Sequence, residues 1–571
     1  MRIAGVNILG SHDAAACLVE NGQLISLIEE ERLIRKKHAP GALPVRALQY
    51  CLSSAGLNLA DIDYIALPFM LYGTPFSGEE ANEESIFGVR YADSPAEDTK
   101  LARFLNSVEP GTKAAPKVAY VSHHLAHAAS AYRCSPFDET TLLVADGEGD
   151  LVSTSLSHAK NDHIKLLKHF PVAASLGMFY TASAAFLGMG DGGEGKVMGL
   201  APYGTPVFNF DEQLSTTSSG YRVNLPVDTT VSEQGAATFR AWLRQFANLS
   251  GMPNRRRFEF DPILVNSVER TEWGADHTNL ASSAQAALER ILLHLAGVGI
   301  ASSGCPDLAV AGGVFLNCSV NGVLNFASGI RGFFAQPLAN DVGAVLGAAL
   351  EATFRLGGPP RVTLDDVDLG PSFNEDTIIE ELDRYGVRYD LCPDIPDTVA
   401  ELLARNQVVG WFQGRMEAGP RALGRRSILA SPGSVLVRDR VNHVKRRALW
   451  RPLSPSVREE EARSLLSGLT IAPFMIVRDM VRPEAAAEIA GAVHVDQSVR
   501  PQIVRRATNE MFWELIGSFR KKNGAPCVIN TSFNDDNEPI VCTPRDALRT
   551  FYTTELDALA MGPALITKNR G

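Results

Sequence analysis

The chain has 571 residues, a formal net charge of −11 and eight cysteines. Such a length exceeds what one hydrophobic core serves, so two or more domains are expected. The acidic balance without a long basic tail argues against nucleic acid as the main partner, and scattered cysteines with no CxxC pair argue against a disulfide framework or zinc ribbon. No leader-like N-terminus and no run of about eighteen apolar residues is found, so a cytoplasmic protein with no membrane partner is expected.

Residues 2–8 and 14–20 read as strands joined by a short Gly-Ser-His-Asp loop, and Asn21-Gly22 is a hairpin signal into the apolar run QLISLI. A hairpin whose tight loop can face phosphates opens the actin and sugar-kinase class of nucleotide-binding domains, an analogy of fold only. His12 and Asp13 lie in that first loop, and Lys36, Lys37 and His38 follow the third strand. A helix at 43–55 and a strand at 64–68 come next. Residues 70–115 are polar and punctuated by Gly and Pro, and read as a variable insertion.

The stretch from Val121 to Asp150 reads as helix, turn, strand and loop. Residues four apart on a helix lie one turn above each other, so His123 and His127 project from one face. The 124/127 pair is nearly as close, but four-residue spacing aligns better. Thr141–Ala145 forms a β-branched apolar strand that delivers Asp146, followed by Gly-Glu-Gly-Asp. Two imidazoles and a carboxylate suggest a divalent transition metal.

Residues 186–204 carry a dense glycine cluster. Gly188, Gly190 and Gly193 satisfy GxGxxG, but no apolar strand precedes them. Gly190, Gly195 and Lys196 give GxxxxGK, yet Val197 stands where a Ser or Thr would hold Mg²⁺. A backbone able to line a ligand survives, with Lys196 as a phosphate or carbonyl partner. Residues 205–275 read as a second irregular insertion and 280–301 as a long helix. Residues 307–322 follow as strand, Gly312-Gly313 turn and helix start, the glycine pair admitting a purine or ribose. A further strand leads to a loop ending in Asp341, which could complete the metal shell as Asp146 does. Gly357-Gly358-Pro359-Pro360 is the clearest linker, separating 1–357 from 361–571. Beyond it strand and helix signals restart, and the cation-rich stretch Arg440–Arg451 suits a small anion. Within that stretch Arg446 and Arg447 read as a solvated face. No internal repeat is evident in the sequence.

Ten ordered motifs run along the chain: HDA at 12–14, EEER and RKKH within 29–38, HHLAHAASAY at 123–132, DGEG at 146–149, EGKVMGLA at 194–201, AGGVFLN at 311–317, GPRALGRRS at 419–427, HVDQSVRPQ at 494–502 and INTSFN at 529–534. Together they resemble the NodU/CmcH family of O-carbamoyltransferases over essentially the whole length. The Asp-Asp-Asn-Glu at 535–538 departs from the pattern, where many relatives have a glycine before the glutamate.

The resemblance implies an α/β protein of two domains. The N-terminal one is actin-like (the ASKHA class, as in tRNA threonylcarbamoyladenosine transferases) and the C-terminal one is a YrdC-like α/β domain. It implies ATP-dependent conversion of carbamoyl phosphate to an enzyme-held carbamoyladenylate, and transfer of the carbamoyl group to a hydroxyl of a small antibiotic-type acceptor. ATP with Mg²⁺ and carbamoyl phosphate are the expected substrates, and a homodimer is compatible with the reading. Carbamoyl phosphate is a dianion, and Arg421, Lys445, Arg451 and Arg500 lie on the matching motifs, with Asn530 and Ser532 able to hydrogen-bond its amide. His123, His127, Asp146 and Asp341 are the expected metal ligands, with Fe²⁺ favoured by the resemblance and Mn²⁺ or Zn²⁺ as alternatives. Lys37, Lys196, Gly312, Gly313 and Asn317 are expected near the nucleotide. His12 is the expected general base for the acceptor hydroxyl. The alternative is a tRNA threonylcarbamoyladenosine-type transferase, which the absence of a broad basic surface disfavours.

Overall fold

The computed structural model describes residues 1–9, 12–70, 86–95, 98–112, 115–190, 192–226, 234–252, 274–468 and 472–568. The chain divides into two compact units. The first takes in the described residues of Met1–Ile34, His38–Phe260 and Trp273–Leu364, and the second takes in Arg35–Lys37 and those of Asp365–Gly571. The division thus falls a few residues beyond the Gly-Gly-Pro-Pro stretch, and a three-residue piece from near the N-terminus belongs with the second unit.

In the first unit, strands β1 (Arg2–Val6), β2 (Ala15–Glu20) and β3 (Gln23–Glu29) form an antiparallel meander. The turn between β2 and β3 has Asn21 and Gly22 both in the left-handed region, at φ 50° and 80°, which the strand twist of a two-residue hairpin requires. Strand β4 (Tyr64–Leu67) joins β1 in parallel, β6 (Lys117–Val121) joins β4 in parallel, and β5 (Val89–Ala92) closes the edge antiparallel to β6. The 70–115 stretch therefore contributes an edge strand, and also a helix at Thr99–Val108 that buries Leu101, Phe104, Leu105 and Val108.

A second sheet repeats this plan. Strands β7 (Glu139–Gly149), β8 (Val152–Lys160) and β9 (His163–Pro171) form a meander. After a separate hairpin of β10 (Leu214–Thr217) and β11 (Gly220–Val223), β12 (Asp307–Ala311) pairs in parallel with β7 and β13 (Gly332–Ala335) pairs in parallel with β12. Two sheets, each three antiparallel strands followed by parallel ones, form a topological repeat that no repeated sequence announces.

The helices His123–Cys134 and Asp341–Arg355 pack closely against each other, and the second also packs on β1 and β2. A Cβ at Gly347 would lie 1.8 Å from the Ala126 carbonyl oxygen, so the absence of a side chain there sets the helix separation. All twelve residues of His123–Cys134 are buried, polar ones included. Arg133 is accordingly paired with Glu351, its Nε donating at 3.0 Å.

The 205–275 stretch also holds core. Helix Gln234–Ser250 buries Trp242 and Phe246 among Phe179, Phe186 and Phe210. Helix Ala275–Ser303 is long and apolar enough to cross a membrane by length and composition. Leu280, Leu288, Ile291, Leu292 and Leu295 are nevertheless buried, and the helix packs on β7 and β8 as a core helix does. All eight cysteines are free thiols.

The second unit is built on one mixed sheet. Its strands are β14 (Asp390–Leu391), β15 (Val409–Phe412), β16 (Arg426–Ala430), β17 (Ser454–Arg458), β20 (Gln502–Val504), β21 (Cys527–Ser532), β22 (Ala558–Met561) and β23 (Ala564–Thr567). They lie in the order β14-β23-β22-β15-β16-β21-β17-β20, while β18 (Asp479–Met480) and β19 (Ser498–Val499) pair separately. Neighbouring residues on one strand enter different cores: Phe412, Ile428 and Ile529 join Phe551, while Trp411, Leu429 and Val528 join Phe512. Alternation at period two means that both sheet faces are covered, which is why these strands read as unbroken apolar runs.

Candidate metal centre and anion cluster

Three local features converge on the first unit's polar centre. His123 opens its helix, and Asp150 receives both the His123 and Met70 backbone N–H groups at 2.8 and 2.9 Å, acting as a cap from outside the helix. Strand β7 runs four residues beyond the expected Ala145, and its pairing with β8 breaks between Ala145 and Gly149, so that Asp146, Gly147 and Glu148 bulge from the ladder. Asp341 is the first residue of its helix and not the end of a loop.

These features bring the four predicted ligands together. Nε2 of His123 lies 3.1 Å from Nε2 of His127 and 2.9 Å from Asp146 Oδ2, and His127 Nε2 lies 3.2 Å from the same oxygen. Asp341 Oδ1 is 3.7 Å from both imidazoles, and all four donor atoms fall within 4.8 Å of one another. His124 turns away, meeting Ser155 Oγ at 3.0 Å, so it is His123 and His127 that face the carboxylates.

The groups around these four side chains hold them in turn. His123 Nδ1 faces the Pro68 carbonyl at 3.3 Å and its ring stacks on Phe69. Asp146 Oδ1 accepts the Gly313 N–H at 3.1 Å. A Cβ at Gly149 would lie 2.0 Å from the His123 ring, and one at Gly312, at φ 99°, 2.2 Å from the Ala145 carbonyl oxygen. The DGEG and AGG glycines thus make room for the four donor side chains, a use of the pair at 312–313 besides the nucleotide approach expected of it.

Burial pushes Asp146 up, yet hydrogen bonds from His123 and His127 outweigh it and hold the carboxyl well below its ordinary range. Burial likewise depresses His127, but hydrogen bonds to Asp146 and Asp341 and their charges carry it up to about 9. Two imidazoles sharing protons with two carboxylates in a buried site are a donor set in which a divalent cation replaces the protons, so the residues fit a metal.

His12 stands on the first loop with its ring 58% exposed and Nδ1 3.3 Å from Asp13 Oδ2. The other residues expected at a nucleotide are more dispersed. Lys196 lies on the short helix Glu194–Leu200 and donates to the Met189 carbonyl at 3.1 Å. Asn317 is buried and works as a helix cap, accepting from Ser319 and Val320, while its Nδ2 donates to Gln285. Lys37 belongs to the second unit, where Nζ donates to the Asp536 carbonyl at 2.6 Å. Only Gly312 and Gly313 of this set sit against the metal ligands.

In the second unit the cations do gather. Arg451 pairs with Asp536 at 2.7 Å, and Arg500 donates through Nε and Nη2 to Ser454 Oγ at 3.1 and 3.0 Å. Lys445 is buried and directs its ammonium to the oxygens of Ser532 and Asn534. These contacts take up its N–H groups and fix the INTSFN turn. Burial, then the adjacent Arg447 guanidinium, holds Lys445 well below its ordinary value. Burial and Arg451 depress Arg447 in the same way. Arg447 was expected on a solvated face with Arg446; Arg446 is exposed, but Arg447 is half-buried, donating to Asn442 at 2.6 Å.

Lys445 feels the charges of Lys37, Arg447 and Arg451, and Arg447 those of Arg451 and Arg500, so these five cations form one electrostatic cluster, in which Asp536 accepts from Lys37 through its backbone carbonyl and from Arg451 through its carboxylate. Asn530 is fixed by three bonds from its Nδ2, to Ala422, Ser456 and Gln502, and its Oδ1 is buried without a partner. Arg421 is half-buried on a loop that Glu417 shapes by accepting the N–H groups of Leu423, Arg425 and Arg426.

A family model described as Carbamoyltransferase N-terminus matches residues 2–83 and 90–350, and one described as Carbamoyltransferase C-terminus matches 400–568. Nodulation protein NolNO of Sinorhizobium fredii is 39% identical, over 98% of this chain and 79% of its own length. Nodulation protein NolO of Bradyrhizobium diazoefficiens is 39% identical over 78% of this chain and 79% of its own. Among solved structures, HypF of T. kodakarensis covers 62% of this chain and 47% of its own at 16% identity and a TM-score of 0.31, a likeness too slight to add to the topology. Both family models fall in the order in which the two clusters occur, and together they take in nearly every residue that builds them: the chain belongs to the carbamoyltransferase family.

Proposed function

We propose that the chain is an ATP-dependent O-carbamoyltransferase that forms carbamoyladenylate from carbamoyl phosphate and ATP and passes the carbamoyl group to a hydroxyl of a small secondary metabolite of antibiotic type. The observation that carries this reading is the cluster of five mutually interacting cations in the second unit, which suits a small dianion, together with a buried, unpaired amide oxygen, Asn530 Oδ1, that suits an N–H donor. Carbamoyl phosphate offers both. We read this unit as YrdC-like, and the repeated sheet plan of the first unit supports reading it as actin-like.

In the first half-reaction carbamoyl phosphate, ATP and water give carbamoyladenylate, pyrophosphate and phosphate. Arg451 and Arg500 grip the phosphoryl oxygens, and Lys445 and Arg447 add charge from behind. In the second half-reaction the acceptor oxygen bonds to the carbamoyl carbon, AMP leaves, and the hydroxyl proton goes to His12. A divalent ion held by His123, His127, Asp146 and Asp341, Fe²⁺ in first place, would supply Lewis acidity to the carbonyl. Purified protein given ATP and carbamoyl phosphate tests the reading. Pyrophosphate release that depends on carbamoyl phosphate is expected, and release indifferent to it would refute the reaction.

A further inference from the structure

The residue beside the general base has a more constrained setting than the base itself. Asp13 is left-handed at φ 53°, a conformation that side chains rarely adopt. Its backbone N–H donates to the His38 carbonyl, and Asn7 Nδ2 donates to the carbonyls of both His12 and Asp13, so the turn is held on two sides. The carboxylate then faces His12 Nδ1 at 3.3 Å through Oδ2 and His38 Nδ1 at 3.9 Å through Oδ1.

A second observation comes from the other side. Asn340 occupies the N-cap of helix Asp341–Arg355, where an asparagine side chain ordinarily accepts a backbone N–H. Here it makes no cap bond. Nδ2 instead donates to Asp13 Oδ2 at 2.9 Å, and Oδ1 is left buried without a partner. Giving up a cap and stranding an oxygen is costly to a helix end, and the one thing gained is a fixed Asp13 carboxylate.

We propose that Asp13 is a positioning residue for acceptor deprotonation: it holds His12 by Nδ1, and through Asn340 it registers that imidazole to the turn that delivers Asp341, leaving Nε2 of His12 open to take the acceptor's proton. The inference rests on the function proposed above for His12. With Nδ1 committed to Asp13, the tautomer and ring orientation of His12 are fixed before the acceptor arrives. The groups facing His12 are Asp13 on its own loop, Asp341 at the helix start and Asp146 on β7; His38 reaches the far oxygen of Asp13. The hydrogen bond to Asp13 is the largest influence that raises His12, to about 9 in the metal-free protein.

Full-length protein labelled with ¹³C at histidine Cε1 gives a direct readout, with the His12 signal assigned as the one lost in His12→Asn. In metal-free wild type it should titrate near 9, and in Asp13→Asn it should fall toward the ordinary value of 6.5. In the metal-loaded enzyme the acid limb of the transfer rate should move to lower pH in Asp13→Asn, with a plateau reduced about 10- to 100-fold. Metal content and pyrophosphate release should hold at wild-type levels. An unmoved His12 titration in Asp13→Asn overturns the proposal, as does a lower rate with an unmoved acid limb. Should Asp13→Asn fail to fold, Asn340→Ala decides: slower transfer at full metal content supports the proposal, and unchanged transfer overturns it. A wild-type enzyme that carbamoylates no hydroxyl would refute the function, while the titration would still report whether Asp13 governs His12.

Discussion

Replacing Gly149 by alanine should empty the metal centre without touching a ligand. The added methyl would lie 2.0 Å from Cδ2, 2.3 Å from Cγ and 2.8 Å from Cβ of His123, whereas ordinary contact begins near 3.4 Å. The ring must therefore retreat by on the order of 1 Å, several times the roughly 0.2 Å tolerance of a metal–ligand distance. It has little room: Phe69 stacks on one face, the Pro68 carbonyl meets Nδ1, and Asp150 pins the backbone. Strain of this kind in a packed site costs about 1–3 kcal/mol, a fall of a few degrees in melting temperature for a unit this size. Metal analysis of the purified variant and a thermal melt are the assays. Stoichiometric metal with an unchanged melting temperature would refute the claim that Gly149 exists to admit His123.

Direct loss of a ligand should act more completely: His127→Ala and Asp341→Ala should each purify without metal and fail in transfer while still releasing pyrophosphate, and full metal content in both would remove them from the site. Arg451→Ala or Arg500→Ala should raise the half-saturating carbamoyl phosphate concentration roughly ten- to a hundredfold, since a charge-assisted bond contributes about 1.5–3 kcal/mol. Unchanged dependence in both would place that substrate elsewhere. Lys445 and Arg447 titrate below their ordinary values, so the unfolded chain binds protons that the folded chain resists, and the stability they withhold returns as pH rises through the folded toward the unfolded value. Inorganic phosphate should therefore raise the melting temperature more at neutral pH than near the ordinary lysine pKa of about 10.4, and a stabilisation that grows with pH would contradict the cluster's electrostatics.

The parts legible in the sequence were those whose signal is local. Spacing alone put His123 and His127 on one face, and Asn21-Gly22 marked its turn. Segments dismissed as insertions failed for a physical reason. Strand β5 buries only Val89 and leaves Arg90 and Tyr91 exposed, so an edge strand reads as polar. Helix Gln234–Ser250 did carry a signal in Trp242 and Phe246, four residues apart, which the polar flanks concealed. Lys37 shows the opposite limit. Its partner Asp536 is 499 residues away, and nothing in RKKH says that the piece belongs with the second unit. Asn317 entered as a nucleotide residue through the AGGVFLN motif alone, and a motif does not say that the same side chain caps the helix at Cys318, accepting from Ser319 and Val320.

Both clusters are held in place by groups outside the cluster or by backbone contacts. Glu417 spends one oxygen on three backbone N–H groups to shape the Arg421 loop, and Lys445 spends its ammonium on the turn at Ser532 and Asn534. In the first unit Asp150 and Gly149 do the corresponding work for His123. These supports keep two carboxylates and two proton-sharing imidazoles within 4.8 Å in the first centre, and keep the mutually repelling cations of the second from relaxing apart. A cation in the first centre takes the place of the shared protons, and an anion in the second relieves the repulsion among the cations, so each ligand stabilises the folded chain by binding it. Removing a support, as Glu417→Ala would, should then weaken anion binding although every cation remains in the sequence. An isothermal titration with phosphate reads this directly, and equal affinity in the variant would show that the cluster holds itself.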